Sequence, residues 1–230
     1  MATAVRTLRA ARAVLLALLC CAAPSAIAEG TRKVEGSASE RKPDARPDSG
    51  PRLVLVFGDS LSAGYGLRLS ESWPSLLQAR LGEHFRVVNA SVSGETTAGG
   101  LTRLPAALTE HAPALVVLEL GGNDGLRGLP LSLAEKNLAA MIELSQAAGA
   151  KVLLLSIQLP PNLGESYTGK FQAMFVSLAK TFHLPAPPFL LEGMADKREL
   201  FQADQIHPVA SAQPRLMENV YPALLALARR

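Results

Sequence analysis

Cysteine is almost missing from this 230-residue chain: Cys20 and Cys21 are the only two, side by side near the N-terminus. Beyond them the chain offers no disulfide, no cysteine nucleophile and no zinc–cysteine site. A run able to span a membrane is missing as well. The apolar stretch "AVLLALLCCAA" is too short, is preceded by Arg6, Arg9 and Arg12, and is followed by the small residues Ala26 and Ala28. That arrangement reads as a secretory signal over residues 1–28, cleaved after Ala28 and leaving no integral span. A lipoprotein reading is disfavoured, because Leu19 precedes Cys20 and Cys20 precedes Cys21 where a small residue is needed. Cleavage removes both cysteines, three of the 23 basic residues and none of the 20 acidic ones, leaving 20 of each. An excess of one charge is therefore absent from the exported, periplasmic chain. This argues against a nucleic-acid partner and gives no steering toward acidic lipids.

Certain motifs are absent too. G-x-S-x-G occurs nowhere, which argues against the common α/β-hydrolase arrangement. No G-x-G-x-x-G follows the first apolar run, so a dinucleotide enzyme is not expected. Residues 29–52, "EGTRKVEGSASERKPDARPDSGPR", hold almost nothing apolar and are dense in charge, Pro, Gly and Ser. Such a segment cannot bury enough surface to offset its ordering entropy and reads as a flexible linker. The folded unit is then 53–230, without an internal repeat.

Within that unit four runs read as strands: "LVLVFG" from Leu53, "FRVVNAS" from Phe85, "ALVVLELGG" from Ala114 and "KVLLLSI" from Lys151. They are apolar almost throughout, as suits strands covered on both faces. A fifth, "PPFLLE" from Pro187, is led by two prolines. Helical segments separate them. One starts behind a Ser72 cap with Pro74 in its first turn and Trp73, Leu76, Leu77 and Leu81 on one stripe. Strand and helix in alternation predict a mainly parallel sheet sandwiched between helices, a three-layer α/β/α fold. In such sheets ligands bind outside the carboxyl ends of the strands. Candidates there are Asp59 and Ser60 after the first strand, Gly94 after the second, Asn123 and Asp124 after the third, and Gln158 and Asn162 after the fourth.

A strand-end serine hydroxyl is a weak nucleophile until a base takes its proton. Of four histidines, His84, His111 and His183 close helices, where a cation complements the dipole, and are read as structural. His207 instead lies in the polar loop "QADQIHPVASAQP", three residues after Asp204. Asp204 there can fix the imidazole tautomer and support its cationic form, making Ser60, Asp204 and His207 a candidate triad.

"FGDSLSAGYG", "NASVSGETT", "ELGGNDGLRG" and "DQIHP" resemble, in order and spacing, the four blocks of the SGNH (GDSL-type) hydrolases. The resemblance is closest to their periplasmic thioesterase I, lysophospholipase and arylesterase branch. It implies a flavodoxin-like five-stranded sheet and no metal or organic cofactor. It also implies Ser60 as nucleophile, His207 as base and acid, and Asp204 orienting His207. An oxyanion hole is implied from the Ser60 and Gly94 N–H groups and the Asn123 amide. Neutral donors of this kind suit a carbonyl oxygen on which negative charge develops. Gly94 and Asn123 each also have a plain reading as turn residues, and company with Ser60 and His207 favours the functional one. Asp59 and Asp124 are read as holding loop N–H groups.

Two other function classes compete. A metal-dependent phosphoesterase would draw ligands from Asp59, Asp124, Asp204 and His207, although no clustered ligand motif is present. An exported carbohydrate- or lipid-binding module would leave Ser60 chemically idle. For the hydrolase, relatives of the branch act on aryl esters, acyl thioesters and lysophospholipids. Leu126, Leu129 and the loop "LPPNLGESY" are the candidate surface for an acyl chain. Nothing in the pattern demands more than a monomer.

Overall fold

The structure, a computed structural model, describes residues 50–194 and 196–230. The segment read as a signal, 1–28, and the part of the expected linker up to residue 49 lie outside the described residues. Strand β1 runs Arg52–Gly58 and pairs in parallel with β2, Phe85–Asn89, on one side and with β3, Leu115–Glu119, on the other. β4, Lys151–Leu154, pairs in parallel with β3, so the order is β2-β1-β3-β4. β1 thus begins one residue before Leu53, with Arg52 opposite Phe85 and its guanidinium donating to the Ala228 carbonyl at 2.8 Å.

The sheet has four strands where five were expected. The Pro187 run reaches β4's continuation only as a single parallel bridge, Ser156 to Phe189. Ser156 N–H donates to the Pro188 carbonyl and Leu190 N–H returns to Ser156, but Pro187 and Pro188 have no N–H with which to extend the ladder. Burial on both faces holds for β1, β3 and β4. It fails for β2, an edge strand whose residues are half-buried or, at Arg86, exposed.

Helix α1, Ser60–Ala63, is one turn that follows β1 directly. α2, Trp73–Leu81, connects β1 to β2; α3, Thr97–His111, connects β2 to β3. α4, Gly122–Leu126, and α5, Leu131–Ala147, lie between β3 and β4, and α6, Glu165–Thr181, follows β4. α7, Gln213–Arg229, closes the chain. The β1–β2 connection moves one way along the sheet and the β2–β3 connection moves back, so right-handed crossovers put α2 and α3 on opposite faces. α7 packs with α2, while α5 packs between α3 and α6.

At the start of α2 the expected Ser72 cap is not made. The Ser72 hydroxyl donates to the Leu69 carbonyl at 2.7 Å, and the Trp73 N–H is satisfied by Gln213 Oε1 at 2.9 Å from the start of α7. Pro74 costs nothing there, because the first turn needs no further donor. Trp73, Leu77 and Leu81 are buried and Leu76 is half-buried, as the stripe required. Phe57, Leu115 and Leu118 fill the sheet's interior. Each such side chain contributes about 1.5–3 kcal/mol of apolar transfer energy. The reversal in strand order falls between β1 and β3, and their carboxyl ends open onto one cleft.

Candidate active site

β1 ends at Gly58 and the chain turns at once into α1. Asp59 caps that turn: its Oδ1 accepts from the Leu61 N–H at 3.0 Å, and Gly64, in the left-handed region at φ 74°, ends it. Ser60 is therefore held at the mouth of the sheet by a strand on one side and a helical turn on the other. Its Oγ lies 2.8 Å from His207 Nε2. His207 Nδ1 lies 2.7 Å from Asp204 Oδ2, and Asp204 Oδ1 accepts from the N–H groups of Ile206 and His207 at 2.9 and 3.0 Å. An ionised carboxylate only accepts, so Nδ1 carries the imidazole proton and Nε2 is free to accept from Ser60. Partial desolvation pushes Asp204 up, but the hydrogen bonds from His207 and Ile206 outweigh it and hold its carboxyl at about 2. The three candidate residues of the triad are brought together.

The loop carrying Asp204 and His207 is closed by an antiparallel bridge between Phe201 and Pro208. The Gln202 N–H donates to the His207 carbonyl at 2.8 Å. Gln202 Nε2 also reaches the Tyr65 carbonyl at 2.8 Å, tying the base loop to the segment after Ser60. The Tyr65 ring then lies over the His207 ring with centroids 4.4 Å apart. His84, His111 and His183 do not line the cleft, in agreement with their structural reading.

The oxyanion candidates converge on the same cleft. After β2 the chain runs beside the end of β1, with Ala90 N–H on the Val56 carbonyl and Val92 N–H on that of Gly58, and this brings Gly94 to the cleft that Ser60 lines. Gly94 adopts φ 78°, a conformation that strains any other residue, and its carbonyl accepts from Arg127 Nη2 at 3.0 Å. Among the described residues neither the Ser60 nor the Gly94 N–H has a protein acceptor. Asn123, in α4, donates one amide hydrogen to Asp59 Oδ2 at 3.1 Å. Asp124 faces away: its two oxygens accept from the Thr97 N–H at 2.9 Å and the Thr97 hydroxyl at 2.6 Å, anchoring the start of α3. Asp59 and Asp124 thus do hold N–H groups, as their sequence reading had it.

Behind Ser60 lies a group that residue pattern alone marks only as one acid in an apolar run. Glu119, at the end of β3, has no solvent exposure. Its Oε2 accepts from the Ser62 hydroxyl at 2.6 Å and the Asp59 N–H at 3.2 Å. Burial, then the neighbouring Asp59, pushes its carboxyl well above the usual range. Burial likewise raises Asp59 to about 6, against the hydrogen bonds from Leu61 and Asn123.

The cleft encloses about 700 Å³. Beyond Ser60 and His207 its wall is mostly apolar, with Leu126, Ile157, Leu159, Phe189, Phe201 and Ile206 among its residues. Leu126 and the prolines of the "LPPNLGESY" loop line it as expected, and Gln158 does too. Leu129 and Asn162 do not. A metal centre finds no ligand set, since among the described residues no three His, Cys, Asp or Glu side chains converge.

The chain is similar in sequence and in fold to known esterases and thioesterases. The chain is 54% identical over 179 residues to the esterase TesA of Pseudomonas aeruginosa, covering 76% of this chain and 89% of that one. It is 46% identical over 161 residues to thioesterase 1/protease 1/lysophospholipase L1 of Escherichia coli strain K12, covering 70% and 77% respectively. The crystal structure of the psychrotrophic esterase EstA from Pseudoalteromonas sp., inhibited by monoethylphosphonate, superposes with a TM-score of 0.74 at 37% identity, covering 78% of this chain and all of that one. Residues 56–213, from the end of β1 to the start of α7, match the GDSL-like lipase/acylhydrolase family, and the chain belongs to it.

Proposed function

We propose that this protein hydrolyses acyl esters and thioesters through an acyl-enzyme on Ser60, with His207 as base and acid and Asp204 orienting it. Carboxylic ester or thioester hydrolysis is the chemistry of its family and of its named relatives. The observation that carries the assignment of residues is the unbroken hydrogen-bonded chain from Ser60 Oγ through His207 to Asp204. Neutral His207 takes the Ser60 proton as Oγ attacks the acyl carbonyl, and Asp204 stabilises the imidazolium that results. The carbonyl oxygen gains negative charge, for which the Ser60 and Gly94 N–H groups and the second hydrogen of the Asn123 amide are the donors. Collapse breaks the bond to the leaving alcohol or thiol, which receives the proton from His207. Water then attacks the acyl-Ser60 carbonyl, giving its proton to His207, and the acid leaves as Ser60 recovers its own.

The apolar wall of the cleft suits an acyl chain, so we read the substrates as aryl esters, acyl thioesters or lysophospholipids. The reaction needs residues of one chain only. The basic-then-apolar N-terminus and its small residues support export to the periplasm with cleavage before Glu29. No helix among the described residues is long and apolar enough to cross a membrane. An organophosphonate should add once per chain, at Ser60, and abolish turnover of a graded panel of p-nitrophenyl esters, acyl-CoAs and lysophospholipids. An adduct at Ser62, or activity that vanishes with a chelator, would overturn the assignment.

A further inference from the structure

The acyl-transfer steps leave one buried titratable group without work. Glu119 Oε1 is buried and receives no hydrogen bond from any N–H or hydroxyl among the described residues. Gly58 is what lets the carboxyl lie there: a Cβ on it would come within 2.5 Å of Glu119 Oε2 and 2.9 Å of the Ser62 hydroxyl. The Asp59 side chain, only 2% exposed, lies within hydrogen-bonding reach of Glu119. The donors facing this pair are the Ser62 hydroxyl, the Asn123 amide and the N–H groups of Asp59 and Leu61. His207 is the further titratable group that acts on Asp59. Among the described residues no Lys or Arg pairs with either carboxyl. Two enclosed carboxyl groups in contact cannot both stay ionised, and a hydrogen bond between them requires a proton on one.

We propose that Glu119 is a positioning residue for the oxyanion hole, keeping one proton between its own carboxyl and that of Asp59 so that Asp59 remains the acceptor that fixes the Asn123 amide. The inference rests on the reading of Asn123 as an oxyanion donor. The proton sits on Glu119, the more deeply enclosed of the two, and Glu119 Oε1 donates it to Asp59. Asp59 stays ionised, with Oδ1 on the Leu61 N–H and Oδ2 on the Asn123 amide. An ionised Asp59 also forbids the flipped amide, which would set the Asn123 carbonyl oxygen against a carboxylate. Asn123 must therefore turn its NH₂ group toward Asp59, and its second hydrogen is the one left for substrate. Glu119 thereby decides that Asn123 presents a donor, although it touches neither Asn123 nor substrate.

Three variants and one spectrum test this. Glu119→Met fills the space and donates nothing. It should lower kcat by about ten- to a hundredfold with KM unchanged, as a slightly misplaced group does. Glu119→Gln mimics the protonated acid, its amide donating to Asp59 and its carbonyl accepting from Ser62, and should recover most of that loss. In an Asn123→Ala background the Glu119→Met loss should disappear, because the group it positions is gone. An infrared difference spectrum of the parent against Glu119→Gln at neutral pH should show a carboxylic-acid carbonyl band present only in the parent. That readout needs neither turnover nor a folded Glu119→Met protein. Absence of the band, or a Glu119→Gln protein as impaired as Glu119→Met, overturns the proposal. A Glu119→Met loss that persists in full without Asn123 overturns it while sparing the oxyanion hole. An Asn123→Ala protein with parental kcat overturns the oxyanion reading itself, and this inference with it.

Discussion

Ser60 and Asn123 stand in the short helical turns just beyond β1 and β3, with Asp59 and Glu119 buried behind them and strand ladders on both sides of β1 and β3. Asp204 and His207 stand in a loop with no regular structure, the Asp204 side chain 37% exposed, held by short bonds to one carboxylate and by Gln202. The contrast follows from what each half must do. Groups proposed to stabilise a developing charge must not reorganise, and here they are held at the ends of strands paired on both sides, at the cost of burying two acids. A base that accepts and returns a proton needs its charge tolerated, and in this partly solvated loop the hydrogen bonds to Asp204 outweigh its desolvation. Asp204 compensates for the loop's lack of packing, since one oxygen pins backbone while the other pins the ring.

The largest expected effect is the removal of the atom both halves share. Ser60→Ala should cost kcat on the order of a millionfold. The Ser60 side chain has one hydrogen bond, to His207, so thermal melting should leave Tm close to parental. A large fall in Tm would show that the two halves depend on this contact for stability.

Asp204→Asn comes next and probes the base loop alone. The amide can still accept from Ile206 and His207 through its oxygen, so the loop keeps its shape, but its NH₂ faces Nδ1 and favours the wrong tautomer. A loss in kcat on the order of ten-thousandfold is expected, with ester kinetics as the check. A loss below about a hundredfold would mean that Asp204 acts by tethering only.

Asn123→Ala addresses the other half and should lower kcat by about a hundred- to a thousandfold with KM little changed. Asn123→Asp should be as damaging or worse, because it sets a carboxylate against both Asp59 and the developing oxyanion. Parental activity in Asn123→Asp, lost on chelation, would contradict the donor role.

The smallest effect is on stability, and its sign differs between the halves. Asp204, depressed to about 2 from 3.8, contributes stability that is complete above the unfolded value and is lost as pH falls toward 2. Asp59, raised to about 6 from 3.8, does the opposite: its ionisation costs stability above pH 6, and the cost is relieved as pH falls toward 3.8. Relative to parent, the Tm of Asp59→Asn should therefore improve from pH 5 to pH 7, whereas the Tm deficit of Asp204→Asn should grow from pH 2 to pH 5. Parallel curves would erase the distinction between a buried and a solvated acid.

The candidates Ser60, Asp204 and His207 were legible because each carries its own signal: a hydroxyl where an apolar strand ends, and an acid three residues from a loop histidine. The core strands were legible for a similar reason, as near-continuous apolar runs report burial on both faces. β2 misled because apolar content does not reveal that a strand lies at an edge. The fifth strand failed on proline chemistry that the same sequence displayed. Partners distant along the chain left no local trace. Trp73 N–H is met by Gln213, 140 residues away, and Tyr65 by Gln202 at a separation of 137.

Residue type and order by themselves pointed to the α/β layering, to the strand ends as the place of the site, and to Ser60, Asp204 and His207 as its candidates, because each shows in local periodicity or in the few residues around it. Tertiary structure alone decided that Leu129 misses the cleft, that Gln213 replaces Ser72 as the cap of α2, and that Glu119 meets Asp59 beneath Ser60. Those outcomes depend on which strand lies beside which and in what register. Gly58 beside Glu119 is a parallel pairing of β1 with β3, and nothing in either segment alone specifies it.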